Sequence, residues 1–383
     1  MRQSIYLDYA AATPLDKRVF AAMQPYLSEV FYNPSAMYSA ARQVRADFED
    51  AKSRLGAILG VKSHDIIMTA GATESIYIAL EGVMESGDHM VIGATEHAAV
   101  RAVGAKYAHS VAAASSKGII TPEAVEAVIT DATKVVSIAA ADSELGTVQS
   151  LRAIAEKLRD IRHDRALRGI KQPLYLHSDA SQVAGVIDLH VSRLGVDMLT
   201  LNAGKCYGPK QVGLLWVDSS VRLQPVLAGG GQERGLRGGT ENVAGTVGFA
   251  VALEYADKKR HTESKRLAEL RDRLQGLLTT ELPELVINGH AKKRLPGHLH
   301  ISYAGLDAER AVMHLDLQGV CVATGAACAA NKGTRSSVLS GVGMSDELAD
   351  GSLRISLGRN TTLEEIDDVA PLIAQAIRTE AAL

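Results

Sequence analysis

The 383-residue sequence is poor in cysteine and in aromatic residues. Its three cysteines, Cys206, Cys321 and Cys328, are too few for a disulfide scaffold, and none lies in a C-x-x-C pair typical of structural zinc sites. Aromatic residues make up only 4% of the chain, so the core must consist mainly of Ala, Val, Leu and Ile. We therefore expect a cytoplasmic protein in which any functional cysteine acts as a free thiol, with no metal site.

The sequence also lacks an excess of either charge and lacks long apolar runs. Lys and Arg total 41 against 44 for Asp and Glu, a net charge of −3, which argues against a dedicated nucleic-acid-binding protein. No apolar stretch approaches the roughly 18–20 residues that a membrane span needs. The opening residues, MRQSIYLDYAAATPLD, do not read as a secretory signal. The length suggests two or three domains, with neither membrane contacts nor direct nucleic-acid binding expected.

Short β-branched runs alternate with helical patterns in the first two thirds of the chain. The predicted strands cover residues 65–70, 89–95, 134–141, 173–179, 196–202 and 212–217. This alternation favours an α/β fold with a mostly parallel sheet.

The pattern changes near residue 242, where a long helix is predicted over 242–281. Two further strands (298–304 and 352–357) and two helices (near 307–317 and 362–379) then predict a smaller α+β domain. We assign residues 15–255 to the large domain. Residues 1–14 and 256–383 form the small one, with the long helix as the hinge.

Small, polar and ionisable residues follow five of the predicted strands. Ligands of open α/β sheets bind at the carboxyl ends of the strands, so these segments are expected to share one site. They are AGATES (70–75), TEH (95–97), DSELG (142–146), SDASQ (178–182) and NAGK (202–205).

Lys205 and Asp179 each follow an apolar strand within this set. A partly desolvated lysine suits Schiff-base chemistry, and a carboxylate in such surroundings needs a cationic partner. A lysine together with an acid that pairs with a pyridinium nitrogen indicates pyridoxal 5'-phosphate (PLP). Gln182 could reach the same ring, and His97 could stack on it and move protons near pH 7.

Gly71-Ala72-Thr73 opens a helix directly after a strand. The free N–H groups of such a helix start suit a phosphate, although a plain turn with an N-cap would look the same in sequence.

Cys328 and Arg354 are the remaining candidates for chemistry. Cys328 lies in ATGAACAANKGTRSS (323–337), a small, polar stretch with two glycines that reads as a mobile loop, which makes it the candidate reactive thiol. Cys321 has apolar neighbours and Cys206 follows the lysine, so we interpret both as structural. Arg354, in the predicted strand SLRISL, suits capture of a carboxylate, with a structural ion pair as the alternative.

Together these motifs resemble those of the cysteine desulfurases, PLP enzymes of the class V aminotransferase group, over nearly the whole chain. The matching stretches keep the family's order, and they are YLDYAAATP (6–14), NPS (33–35), GATES (71–75), TEH (95–97), ELGTVQ (144–149), DASQ (179–182), K-x-YGPK (205–210), GGGQERGLRGGT (229–240), GAAC (325–328) and LRISLGR (353–359). The resemblance implies the type I fold of PLP-dependent transferases, with a seven-stranded sheet. It also implies a homodimer with shared active sites and a long catalytic loop.

The resemblance implies a role for each matching position. Lys205 would carry PLP, and His97 would stack on it. The further cofactor contacts would be Ala72, Thr73, Ser143, Asp179, Gln182, Asn202, Gly204 and Thr240. Of these, Thr240 would reach the phosphate of the neighbouring subunit. The family usually has Asn, Ser and His at positions 143, 202 and 204.

The same resemblance implies the reaction. Arg354 and Asn33 would bind L-cysteine, and Cys328 would take its sulfur as a persulfide, leaving L-alanine. The sulfur would pass to an acceptor protein, for iron–sulfur cluster assembly or tRNA thiolation. Two alternatives remain at this point. One is a selenocysteine lyase or another related PLP enzyme, and the other is a catalytically silent scaffold protein with the same fold.

Overall fold

The computed structural model describes residues 4–325 and 335–381. The strands are β1 (Ile5–Tyr6), β2 (Ile66–Thr69), β3 (His89–Gly93), β4 (Ala108–Ala112), β5 (Thr133–Ser137), β6 (Tyr175–Asp179), β7 (Met198–Asn202), β8 (Gly213–Val217), β9 (Val286–Ile287), β10 (His298–Ser302), β11 (Val320–Cys321), β12 (Ala323–Thr324) and β13 (Ser352–Ser356). The helices are α1 (Lys17–Met23), α2 (Pro25–Ser28), α3 (Ser39–Leu59), α4 (Ala72–Glu81), α5 (Ala98–Gly104), α6 (Pro122–Glu126), α7 (Leu151–Leu167), α8 (Val191–Leu194), α9 (Val243–Glu281), α10 (Ala308–Leu317), α11 (Ser337–Gly341), α12 (Asp346–Asp350) and α13 (Leu363–Ala381).

Seven strands form the central sheet, in the order β2-β8-β7-β6-β5-β3-β4. All neighbours pair in parallel except those of β8, which runs antiparallel to both β2 and β7. Strands β2, β7 and β8 are almost wholly buried because helices cover both faces of the sheet, as the continuous apolar runs of the sequence predict. The predicted α/β class with a mostly parallel seven-stranded sheet is therefore confirmed.

A second sheet of four antiparallel strands has the order β12-β13-β10-β9. Helices α10 and α13 pack beside it around a separate apolar core that includes Leu7, Leu274, Leu299 and Ile373. This part of the chain has the α+β character that the sequence predicts.

Helix α9 passes from one apolar core to the other. Its first half, including Phe249 and Leu253, packs into the core of the large sheet. Its second half supplies Leu270, Leu274 and Leu278 to the core of the small sheet. The proposed domain boundary after residue 255 falls inside this helix, and the division itself stays a prediction.

Several elements have no counterpart in the sequence prediction, among them α3 and β4. Helix α3 holds Phe48 and Leu55 in the main core, and β4 is a strand at the edge of the large sheet with mostly exposed side chains. An edge strand carries little apolar signal, because only one of its long sides is paired and much of its surface stays hydrated. No described helix is long and apolar enough to span a bilayer.

Candidate active site

A cavity of about 720 Å³ opens where the parallel strands of the large sheet reach their carboxyl ends. Its wall contains Thr73, His97, Asp179, Lys205 and Arg354, one residue from each of five separate segments. The volume lies within the range of small-molecule sites. The structure therefore brings together the residues that the sequence placed at one edge of the sheet, and it adds the arginine from β13.

Lys205 closes a short 3₁₀ turn directly after β7. The turn is held by Asn202, whose Oδ1 accepts a hydrogen bond from the Gly204 N–H at 3.0 Å. The Lys205 Nζ donates to the backbone carbonyls of Ala10 and Ala11, at 2.7 and 2.8 Å. The amine is thus oriented by the start of the chain, which the sequence did not indicate.

Asp179 ends β6 and also lines the cavity. One carboxylate oxygen accepts from the Ser181 N–H at 2.9 Å, which fixes the side chain at the turn. Beneath it, the buried ring of His177 hydrogen-bonds Ser137 and Thr200, and burial lowers the pKa of this histidine to about 4. His177 is therefore neutral and leaves Asp179 available to a cationic group in the cavity.

Gln182 lies on the next turn of the same segment. Its Nε2 donates to the Ala10 carbonyl at 3.2 Å, the same oxygen that accepts from Lys205. Gln182 and Lys205 therefore share one acceptor in the N-terminal segment.

His97 is the exposed N-cap residue of α5. Its Nδ1 accepts from the Ala99 N–H at 3.1 Å, so the proton of the neutral ring lies on Nε2. This contact fixes both the ring orientation and its tautomer.

Glu96, immediately before His97, is a residue of the site region that the sequence analysis did not single out. It is fully buried, its Oε1 accepts from the Ala139 N–H at 2.6 Å, and its Oε2 has no partner among the described residues. Burial raises the pKa of this carboxyl to about 8. In the TEH motif only the histidine suggests a functional role, because a glutamate is normally expected to be exposed to solvent.

We expect Glu96→Gln to change how stability depends on pH. Between about pH 4.5 and 8 Glu96 stays protonated in the folded chain but is ionised in the unfolded chain, so rising pH costs the parent stability through that window. The variant lacks this cost. Relative to the parent, its free energy of unfolding should rise by roughly 4 kcal/mol between pH 5 and pH 9.

Thermal melts of both proteins at the two pH values measure this difference. Glu364→Gln, at an exposed glutamate in the first turn of α13, is the matched control and should give the same offset from the parent at both pH values. An offset for Glu96→Gln that does not change with pH would show that Glu96 is already ionised in the folded protein at both pH values.

Arg354 lies on β13 and is 3% exposed. Its Nη2 donates to Asp8 at 2.8 Å and its Nη1 to the Ser143 carbonyl at 3.1 Å. The guanidinium thus makes an ion pair and also lines the cavity, and its capture of a carboxylate stays a prediction.

Several predicted site residues lie elsewhere. Gly204 is buried behind the cavity wall, where its carbonyl accepts from the Thr13 hydroxyl at 3.0 Å. Asn33 and Thr240 are exposed and do not line the cavity of this chain. Cys328 lies outside the described residues.

The residues present fit PLP. Lys205 offers an amine, Asp179 a carboxylate for a ring nitrogen and His97 a flat ring, while Ala72 and Thr73 begin α4 at the cavity wall. Gly71 precedes them with φ +129°, and Gly213 packs so closely on it that a Cβ at Gly213 would lie 2.7 Å from the Gly71 carbonyl carbon. The N–H groups of that helix start and the Thr73 hydroxyl would hold the phosphate.

Comparison with known proteins identifies the family. The class V aminotransferase family model matches residues 5–369. The cysteine desulfurase IscS of Dictyoglomus turgidum is 35% identical, with 99% of this chain and 96% of that protein covered. Cysteine desulfurase IscS 1 of Archaeoglobus fulgidus is 37% identical, with 98% of each covered.

Solved structures with a similar fold support the same family. A NifS-like protein superimposes with a TM-score of 0.89 at 29% identity, over 98% of this chain and 100% of that one. SspA in complex with cysteine gives a TM-score of 0.77 at 28% identity, over 92% of this chain and 99% of that one. The chain therefore belongs to the class V aminotransferase family and, within it, to the PLP-dependent cysteine desulfurases.

Proposed function

We propose that this protein removes sulfur from L-cysteine, giving L-alanine and a persulfide on Cys328 that passes to an acceptor protein. The observation that carries the proposal is the meeting of Lys205, Asp179, His97 and Arg354 in one cavity. An amine, an acid, an imidazole and a guanidinium are the groups needed to hold PLP and to orient an amino acid beside it. A catalytically silent scaffold would not need this set.

Arg354 binds the substrate carboxylate, and Lys205 and Asp179 would hold the cofactor. When bound, PLP supplies the electron sink that allows the carbon–sulfur bond of the substrate to break. His97 offers a ring nitrogen that can carry a proton at the mouth of the cavity. The Cys328 thiolate attacks the substrate sulfur. The carbon–sulfur bond breaks, and the substrate carbon takes a proton to become L-alanine.

A homodimer with shared sites would account for two of the predicted residues that lie off the cavity, Asn33 and Thr240. Asn33 and Thr240 are both exposed. Large apolar side chains are also exposed along residues 20–38, namely Phe20, Leu27, Phe31, Met37 and Tyr38. Such a concentration is typical of a protein–protein interface, and this one belongs to the same stretch of chain as Asn33. Association through this face would offer Thr240 to a neighbouring cavity, and we propose a cytoplasmic dimer.

Assay of L-alanine tests the function. Purified protein is incubated with PLP, a thiol reductant and either L-cysteine or L-selenocysteine. We expect L-alanine from L-cysteine at a rate at least comparable with that from L-selenocysteine. Product from L-selenocysteine alone would favour a selenocysteine lyase. No product from either substrate, in protein that shows the lysine–PLP absorbance band, would contradict the proposal.

A further inference from the structure

Asp8 contributes a carboxylate to the cavity wall, and the proposed reaction assigns it no role. It forms the ion pair with Arg354, the group proposed to bind the substrate carboxylate, at 2.8 Å. We propose that Asp8 is a positioning residue that competes with the substrate's carboxylate for Arg354, and so limits the affinity for both substrate and product. The inference rests on the proposed function through the role of Arg354.

Backbone pairing fixes Asp8 in this place. The residues on either side of it bond to Ser356, which lies two positions beyond Arg354: the Ser356 N–H donates to the Leu7 carbonyl at 2.8 Å, and the Tyr9 N–H donates to the Ser356 carbonyl at 3.2 Å. The same segment continues to Ala10 and Ala11, whose carbonyls hold Lys205. Asp8 is therefore held by main-chain bonds and does not depend on Arg354 for its position.

A substrate carboxylate can bind only to guanidinium N–H groups of Arg354 that are not already engaged by the protein. Nη1 bonds the Ser143 carbonyl, and Nε is buried with no partner within residues 4–325 and 335–381. Across those residues, Asp8 is also the only carboxylate within ion-pair distance of the guanidinium. Two-point capture of a carboxylate on the Nη2 side must therefore share that nitrogen with Asp8.

Electrostatic repulsion determines how Asp8 changes the affinity of Arg354 for a carboxylate. Arg354 and Asp8 together carry no net charge, so an incoming carboxylate meets a neutralised cation and a like charge beside it. Carboxylates that share one site repel each other, and the effect is strong where water is scarce. L-Cysteine and L-alanine carry the same carboxylate, so Asp8 weakens the binding of both. This would promote release of the product.

Asp8→Asn tests the inference, because the amide keeps the shape and one acceptor oxygen but removes the charge. The probe is 3-mercaptopropionate, which has the thiol and carboxylate of the substrate but no amine, titrated into the holoenzyme by calorimetry. We expect the variant to bind it about tenfold more tightly, which corresponds to about 1.4 kcal/mol. The neutral 3-mercaptopropionamide should bind both proteins within twofold. In steady-state assays, the KM for L-cysteine should fall without a matching change in kcat.

Asp16→Asn is the matched control. Asp16 also belongs to the N-terminal segment and pairs with an arginine that follows β13, Arg359, at 2.6 Å, but it does not line the cavity. Its loss should leave the affinity for 3-mercaptopropionate unchanged.

The outcomes separate this inference from the proposed function. Unchanged or weaker binding of 3-mercaptopropionate by Asp8→Asn would overturn the role of Asp8, while L-alanine formation by the parent would still support a desulfurase. An Asp8→Asn protein that does not prefer the carboxylate to the amide would refute carboxylate binding by Arg354, and the inference would fall with it.

Discussion

Replacing Lys205 with alanine is expected to lower the rate of L-alanine formation from L-cysteine by at least about a thousandfold. The residue ends the turn after β7, and its amine is directed by the Ala10 and Ala11 carbonyls at the cavity wall. Among the described residues of the cavity wall, Lys205 is the only lysine. Its removal should also abolish the lysine–PLP absorbance band.

Lys210→Ala is the control for Lys205→Ala. Lys210 belongs to the same loop and also donates to a carbonyl of the N-terminal segment, that of Thr13 at 3.2 Å, but it does not line the cavity. This variant should keep the absorbance band and most of the activity. If Lys205→Ala retained the band, PLP would be held by a different residue.

Cys328→Ser should form L-alanine at least about a thousandfold more slowly than the parent while keeping the absorbance band. The other two thiols are poor substitutes. Cys206 is buried, and burial raises the pKa of its thiol to about 12. Cys321 lies in β11 and pairs with β1, and burial raises its thiol pKa as well. A thiol must ionise to attack sulfur, so neither can replace Cys328 near neutral pH.

Cys321→Ser is the control for this substitution and should keep most of the parent's activity. Equal rates for Cys328→Ser and the parent would show that L-alanine forms without this thiol. A selenocysteine lyase would then be the preferred function.

The residues at the carboxyl ends of the strands could be predicted because sequence order alone puts them there. Lys205, Asp179 and His97 each follow a strand, and a parallel sheet brings such positions to one edge. The partners supplied by the first residues of the chain could not be predicted. Ala10 and Ala11 act through backbone carbonyls, which carry no side-chain signal.

Burial of charged residues is a second feature that the sequence could not predict. Glu96 is read from sequence as a solvated charge, yet it is enclosed at the end of β3 with its carboxyl bonded to Ala139. Asn33 and Thr240 show a third limit, because neither of them lines the cavity of this chain. Their positions follow from the family motifs, and their role in a site shared between two subunits stays a proposal.

The pairing of residues 7–9 with β13 also has a consequence for synthesis in the cell. Asp8 and Arg354 are 346 residues apart in the chain. At a translation rate of about 5–20 residues per second, roughly 20–70 s separate their release from the ribosome. During that time residues 7–11 have no partner in β13, and the carbonyls for Lys205 are not yet held in place. The nascent large domain would therefore emerge with an open cavity, and the site would be completed only when nearly the whole chain has been made.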